Sequence, residues 1–547
     1  MNTNALRQKI LDLAIHGKLV KQDSADEPAS VMLEKLRAEK EAKIAAGEIK
    51  RNKNDSYIFK YTGTSGENKT DNNPEGLEHN RHYEKFADGR VKDIEDEIPF
   101  AVPEGWAWCR LGEVCEIISG TSYQKNDIIS NGALRILRGG NIQNNDLILR
   151  SDDVFIHDKY IDSRKNITVG DIIIVASTGS TNVIGKPAFI DKDYDTTQIG
   201  AFLRIIRILF FPISKYISFI FQSEYYVNYI QNNIKGTNIN NIKADHLQKM
   251  LLPIPSLSEQ QRIVNIIEAS FAQIDLLEQN KIDLQTAVKQ AKSKILDLAI
   301  HGKLVPQDPA DESASVMLER LRAEKEAKIA AGKMKRSKND SYIYRNPTDN
   351  CYYEKFDDGT EEQIEIPFNL PESWCWQKIS SICEINPKNK LDNTLEISFV
   401  PMTLIDSQFN NNFTYELQRW ETVKSGFSHF SDNDIGIAKI TPCFENRKSV
   451  IFKNLKNKYG AGTTELHILR TNNKYIFNEY VFWFIKTDAF IKEGINNFTG
   501  AVGQQRIGKE FIAETLIPIP PLNEQVKICR TINTLMKKLD EISLNIV

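Results

Sequence analysis

A dozen residues, KILDLAIHGKLV, occur twice in this chain, from Lys9 to Val20 and again from Lys294 to Val305. The likeness runs on. Between 9–60 and 294–345 only nine of 52 positions differ, several conservatively, as Lys35 against Arg320. Weaker echoes follow in the same order. HYEKFADG from His82 answers YYEKFDDG from Tyr352, and EIPFAVPEGWAW from Glu97 answers EIPFNLPESWCW from Glu365. LLPIPSLSEQQRI from Leu251 answers LIPIPPLNEQVKI from Leu516. A period of about 285 residues is far too long for a solenoid, whose units run roughly 20–50 residues. It describes two copies of a whole domain with its connector, and 547 residues are enough for several cores. Between the echoes, across 118–250 and 386–515, the copies diverge. A shared framework with different contents suits two different readers on one scaffold.

The framework also predicts how the copies are joined. Pro255, then Ser258 with Gln261 three residues on, reads as a stop followed by a capping box. From there apolar residues keep a 4-3 spacing through Ile263, Ile267, Ile274, Leu277, Leu284, Val288, Ala291, Ile295 and Leu298, interrupted by Ser270 and Lys281. Such a seam marks a long helix that needs a helical partner, and Gly302 can end it. After Pro521, with Asn523 as N-cap, the same register gives Ile528, Ile532, Leu535, Leu539 and Ile542. The later half of that second helix is found at the N-terminus, where Leu6, Ile10 and Leu13 match Ala291, Ile295 and Leu298. The chain therefore reads as circularly permuted. The expected architecture is α+β, with two mixed α/β domains at opposite ends of a long antiparallel two-helix coiled coil and a pseudo-two-fold axis between them.

On this reading residues 1–20 continue the second helix and 21–96 form a helical segment and linker. Residues 97–255 are the first variable domain and 256–302 the central helix. Residues 303–364 repeat the segment and linker, 365–520 are the second variable domain, and 521–547 begin the second helix. Inside 21–96 a charge-balanced helix is expected from Glu27 to Gly47, with Pro28 near its start; balanced charge argues for a solvated face. Trp106, Trp108, Trp374 and Trp376 belong to the shared framework, so they are expected to pack the domain entrance.

A formal net charge of −3 neither announces nor excludes nucleic acid, since phosphate binding depends on local patches. The seven cysteines include no C-x-x-C, and Cys109 with Cys115 or Cys375 with Cys383 lack zinc-ligand spacing. They fit reduced thiols in a cytoplasmic protein without a metal. The N-terminus carries Arg7, Lys9 and Asp12 where a signal peptide needs an apolar run. AFLRIIRILFFPIS contains Arg204 and Arg207 and is too short to span a bilayer, so it is expected to be strand and loop in a core. Catalytic signatures fail as well. There is no Asn/Asp-Pro-Pro-Tyr/Phe segment, and STNVIGKP from Ser180 has serine at the first glycine of a phosphate loop and Pro187 where a hydroxyl belongs.

The repeated LDLAIHGKLV, the IPFxxPExWxW segments opening each variable domain and the PIPxLxEQ segments closing them resemble the specificity subunit of type I restriction-modification systems, over nearly the whole length. Inside the domains, LRGGNIQNND from Leu137, GDIIIVASTGSTNVIGKPAFI from Gly170 and GTNINNIKADHL from Gly236 resemble target-recognition segments of that family. FVPMTLID from Phe399, GIAKITPCFENRKS from Gly436 and GAGTTELHILR from Gly460 resemble another class of the same domain, with Arg447 where glycine is common. The resemblance implies a non-catalytic reader of double-stranded DNA with two target-recognition domains. Each reads half of a bipartite, asymmetric site, while the helical pair fixes the gap. It implies two modification subunits, which carry S-adenosylmethionine and methylate adenine. It further implies motor-nuclease restriction subunits, which use ATP and magnesium. This chain itself would bind no cofactor.

Amide side chains pair bidentately with adenine and Arg or Lys with guanine, whereas hydroxyls and Gly-loop amides suit phosphates. The residues expected to meet DNA in the first domain are Thr121, Tyr123, Lys125, Arg138, Asn141, Ser177, Thr178, Ser180, Thr181, Asn182, Lys186, Thr237, Asn238, Asn240 and Asn241. In the second they are Lys388, Lys439, Thr441, Asn446, Arg447, Lys448, Thr463, Thr464, Gln504, Gln505 and Arg506. Each loop alone could be a polar turn in which Asn and Gly serve the backbone. GTNINN and GAVGQQR, at corresponding places in divergent copies, argue for contact. Two other readings are a stand-alone methyltransferase or nuclease with an unrecognised site, and a coiled-coil scaffold that binds only protein.

Overall fold

The structure is a computed structural model. It describes residues 2–49, 51, 55–63, 77–130, 132–180, 182–233, 240–332, 341–501 and 503–545. The chain divides into two compact units, Met1–Gln279 and Asn280–Val547.

Each unit is built on a pair of four-stranded sheets. In the first unit, strand Ile172–Val175 lies antiparallel between Pro187–Phe189 and Leu203–Ile208, and Cys115–Ser119 pairs beyond Leu203–Ile208. IIIV reads as an unbroken apolar run because both faces are covered. Ile172 and Ile174 point into one core, with the helices, and Ile173 and Val175 into another, towards the second sheet. That second sheet has a parallel pair at its centre, Leu134–Leu137 beside Tyr194–Ile199, flanked by Val154–Ile156 and Asn166–Ile167. The second unit repeats this order with Ile435–Ala438 between Ser449–Ile451 and Leu466–Thr471, and Glu396–Val400 parallel to Tyr459–Gly462. The α+β class holds. The divergent contents share one topology.

Where the variable contents begin and end, the chain is stitched shut. Ala107–Arg110 pairs antiparallel with Leu251–Ile254, and Cys375–Lys378 pairs with Leu516–Ile519. The contents of each domain therefore leave and re-enter the framework at neighbouring strands.

The repeated dozen residues cap the base of each unit. His16 packs on Phe100 with ring centroids 4.1 Å apart, and His301 packs on Phe368 at 3.9 Å. A Cβ on Gly17 would come 2.3 Å from Pro103, and one on Gly302 would come 2.6 Å from Pro371. Both glycines also take φ +65, where a side chain is strained. The indole of Trp106 donates to Glu259 at 2.9 Å, and that of Trp374 to Glu524 at 3.0 Å. Each carboxylate also accepts from the glutamine after its own repeat, Gln22 or Gln307. Burial pushes both carboxyls up from the usual range. The repeat is thus used twice because two similar frameworks need the same seal.

The helical segments differ in detail from the expectation. The helix Leu257–Ile300 starts earlier than Ser258 would allow, because Ser256 accepts from the Glu259 amide at 3.0 Å and is the cap. Asn523 likewise lies inside the helix Leu522–Asn545. Thr3–Ile15 and Ala29–Ala45 are helical, the latter within the expected span. In the first unit, Gln22 meets Glu259 while Arg7 pairs with Asp275 and Glu278, so Thr3–Ile15 runs antiparallel to the helix beginning at Leu257. In the second, Gln307 meets Glu524 while Lys292 pairs with Asp540, so Leu522–Asn545 runs antiparallel to the part ending at Ile300.

The buried face is rotated from the expected seam. Leu11, Ala14 and Ile15 are buried, as are the matching Leu296, Ala299 and Ile300, because these faces dock on the domains. Ile10, Leu13, Ile295, Leu298, Leu535 and Leu539 are half-buried. Ile263, Ile267, Ile274, Val288, Ile528 and Ile532 are buried. Leu6, Leu277, Leu284 and Ile542 are exposed, which corrects their expected place in a closed seam.

One buried carboxyl distinguishes the units. Glu113, 3% exposed at its side chain, accepts from Arg37 Nε at 2.8 Å, yet burial pushes its pKa up to about 7. Ser381 occupies the equivalent position, three residues past Lys378 as Glu113 is past Arg110. A carboxyl raised by folding contributes stability below its ordinary value of 4.5, lost as pH rises to about 7. Glu113→Gln, which mimics the protonated acid, is therefore expected to stabilise the first unit at pH 8 by at most about 3 kcal/mol, at 1.36 kcal/mol per pKa unit. By pH 4.5 the advantage should vanish. Thermal unfolding of both chains across this range checks it; a variant less stable than the parent at pH 8 contradicts it.

Candidate nucleic-acid interface

Beyond Val175 the chain leaves the sheet as Ala176, Ser177 and Thr178. Ser177 pairs with Asn241 and Thr178 with Asn240, while the Ile242 amide donates to Ala176 at 2.8 Å. The Ala176 and Ser177 amides both donate to the Phe202 carbonyl, at 2.8 and 3.0 Å. Three loops thus converge at one end of the sheet. Ser180, Asn182, Lys186 and Asn241 are exposed there, and Ser177 and Thr178 are half-buried. Thr181, Thr237 and Asn238 lie outside the described residues, and only the backbone of Asn240 is described.

The second unit converges the same way. Ile440 bridges to Arg506, the Thr441 amide donates to Gln505 O at 3.0 Å, and the Ile507 amide donates to Lys439 O at 3.0 Å. The Lys439 amide donates to the Glu465 carbonyl at 3.0 Å. The registers superpose Thr178 on Thr441, Asn241 on Arg506 and Phe202 on Glu465. Glu465 grips the Arg506 guanidinium with both oxygens, at 2.9 and 3.0 Å, and that hydrogen bonding holds its carboxyl below the usual range. Gln504, Asn446 and Thr464 are exposed; Lys439, Thr441, Thr463 and Gln505 are half-buried.

Other expected residues stand apart from this convergence or are enclosed. Lys125 and Arg138 are exposed, the latter donating to Asp152 O at 2.9 Å, and Tyr123 packs on the cluster of Leu134, Ile136 and Ile156. Lys388 donates to Phe427 O at 3.4 Å and Lys448 to Met402 O at 3.0 Å. Thr121, Asn141 and Arg447 are buried, which corrects their place among exposed readers. The Thr121 hydroxyl donates to Gln198 at 3.0 Å. The Asn141 amide donates to Ile148 O and Asp153 and accepts from Arg138 N, so it completes a turn that backbone pairing leaves open.

Arg447 is a clamp. At φ 53 its Nε donates to Lys486 O at 3.1 Å and it pairs with Asp488. Lys486 is fully buried and returns the contact, donating to the carbonyls of Arg447, Gln408 and Asn410 at 3.0, 2.7 and 2.8 Å. Burial, with Arg447 nearby, pushes its pKa down to about 7. The pair fixes the loop that carries Thr441 and Asn446. Sequence reasoning missed Glu465 and Phe202, whose places follow from the register between strands, and Lys486, whose burial follows from the packing of the turn between helices Asn478–Phe484 and Asp488–Asn496; no local motif marks them.

The model of the family described as "Type I restriction modification DNA specificity domain" matches residues 103–286 and 371–546. The chain belongs to this family. The specificity subunit of the type I restriction enzyme EcoAI of Escherichia coli is 43% identical over 263 residues, 48% of this chain and 41% of that protein. That of EcoEI, also from Escherichia coli, is 42% identical over the same shares. The chain thus spans about two fifths of the length of these relatives. A solved HsdS subunit from Thermoanaerobacter tengcongensis aligns with 81% of this chain and 92% of its own, at 16% identity and a TM-score of 0.45. Both matched regions of this specificity-family chain include a complete loop convergence. Among the described residues no helix is long and apolar enough to cross a membrane.

Proposed function

We propose that this chain is the DNA-sequence-specificity subunit of a cytoplasmic type I restriction-modification complex. The observation that carries the reading is the loop convergence, built in the same register in two domains whose sequences have diverged. A merely structural turn has no need to recur at one sheet end with different polar contents. In this reading each domain reads one half of a bipartite, asymmetric site. The antiparallel helical contacts of each unit belong to a two-helix coiled coil that sets the unread gap. The partners are double-stranded DNA, two modification subunits with S-adenosylmethionine, and restriction subunits with ATP and magnesium. The chain itself is non-catalytic and holds no cofactor. Family membership and the relatives' names support this reading over a stand-alone enzyme or a protein-only scaffold.

Incubation with DNA and labelled S-adenosylmethionine tests it. The chain alone is expected to transfer no methyl group, and the chain with its modification subunit is expected to methylate adenines within one bipartite motif. Methylation by the chain alone, or methylation by the complex without a motif, contradicts it.

A further inference from the structure

Phe202 is 68% exposed, although it stands between the buried Ile199 and Leu203. Its backbone is fixed, since its carbonyl accepts from Ala176 and Ser177. Its backbone therefore stands at the convergence, next to Ser177, which pairs with Asn241, and its ring is open to solvent. In the second domain the equivalent position, Glu465, holds Arg506 bidentately at the same place on the sheet end. One position thus bears on the reading surface in both domains, with charged chemistry in one and a bare aromatic ring in the other. Phe211, in the 3-10 turn Phe211–Ile213 past the other end of the strand Leu203–Ile208, is 58% exposed and lies beside Gly170, away from the convergence. It provides an internal control for exposure alone.

An exposed phenyl ring offers no hydrogen bond to a base edge. In the major groove the apolar feature it can recognise is the C5-methyl of thymine. Building on the DNA-reading function above, we propose that Phe202 is a specificity-determining residue of the first domain and packs on a thymine methyl in the half-site which that domain reads. Ser177, Thr178 and Asn241 on the adjoining segments supply polar contacts, so the ring adds thymine selectivity at one base pair.

The test uses the full chain assembled with its modification subunits, after methylated-adenine mapping has given the motif. Duplexes in which each thymine of the first half-site is replaced singly by deoxyuridine differ from the parent by one methyl group. For the parent complex, replacement at one position is expected to weaken binding roughly fourfold, the factor carried by burial of one methyl-sized apolar group. Phe202→Ala should bind thymine and deoxyuridine duplexes alike at that position, Phe202→Leu should keep part of the difference, and Phe211→Ala should keep all of it. The thermal midpoint of Phe202→Ala should match the parent, because the ring is outside the core. A half-site without thymine, a parent indifferent to every replacement, or a Phe202→Ala complex that keeps the difference overturns the proposal. Absence of any mapped motif would instead contradict the function on which it rests.

Discussion

A chain beginning at residue 21 should lose the folded state of its first unit. The N-terminal segment has the position of a dispensable terminus, where truncation is ordinarily tolerated. Its contacts say otherwise. Leu11, Ala14 and Ile15 are buried in the core that holds Ile263, Ile267 and Trp106. Gln8 donates to Gln222 O and accepts from the Glu224 amide, both at 3.0 Å, while Arg7 pairs with Asp275. Full burial of a Leu or Ile side chain stabilises by roughly 1.5–3 kcal/mol. Losing Leu11 and Ile15 alone therefore removes about 3–6 kcal/mol, against a total of roughly 5–15 kcal/mol for a typical domain. The truncated chain is expected to aggregate or to be cut rapidly by protease within 21–279. Leu11→Asp should reproduce the defect, whereas Leu6→Asp, at an exposed position, should not. A soluble, protease-resistant chain starting at residue 21 would show that the first copy of the repeat is not part of the core.

The framework was legible because it is written twice. Any residue retained in both copies had to serve a structure needed twice, and the pairs His16/His301, Gly17/Gly302 and Trp106/Trp374 make matching contacts. The helix face was read one step out. A 4-3 pattern shows that a stripe is apolar, but whether Leu11 or Leu13 is covered depends on the domain against which the helix rests. In the variable regions, composition marked the polar loops and could not separate presented from enclosed side chains. Asn141 and Asn241 look alike in sequence; one closes a turn and the other faces solvent. Arg447 carries a guanidinium suited to guanine, yet Lys486, 39 residues away, holds it inside. Phe202 stands in a strand-like apolar run, yet the strand begins only at Leu203 and the Phe202 ring is exposed.

Exchange of the second domain's contents should redirect recognition of one half-site alone. Because Cys375–Lys378 pairs with Leu516–Ile519, residues 386–515 leave and re-enter the framework at adjacent strands, and their core closes within the second unit. Replacing them with the corresponding contents of another family member should preserve the Trp374–Glu524 bond and the seal made by His301 and Gly302. The first unit's convergence of Ser177, Thr178, Asn241 and Phe202 would be untouched. Each mismatched base pair typically costs about 1–3 kcal/mol in a specific site, so a half-site with several altered bases should be bound no better than random DNA.

Mapping of methylated adenines by long-read sequencing is the most direct measurement, in cells that express the modification subunit with either the parent chain or the chain exchanged at 386–515. Two bipartite motifs are expected, sharing one half-site and the same unread gap and differing in the other half-site. Motifs in which both halves change together, or an exchanged chain that keeps the parent motif, would contradict the assignment of one half-site to each domain.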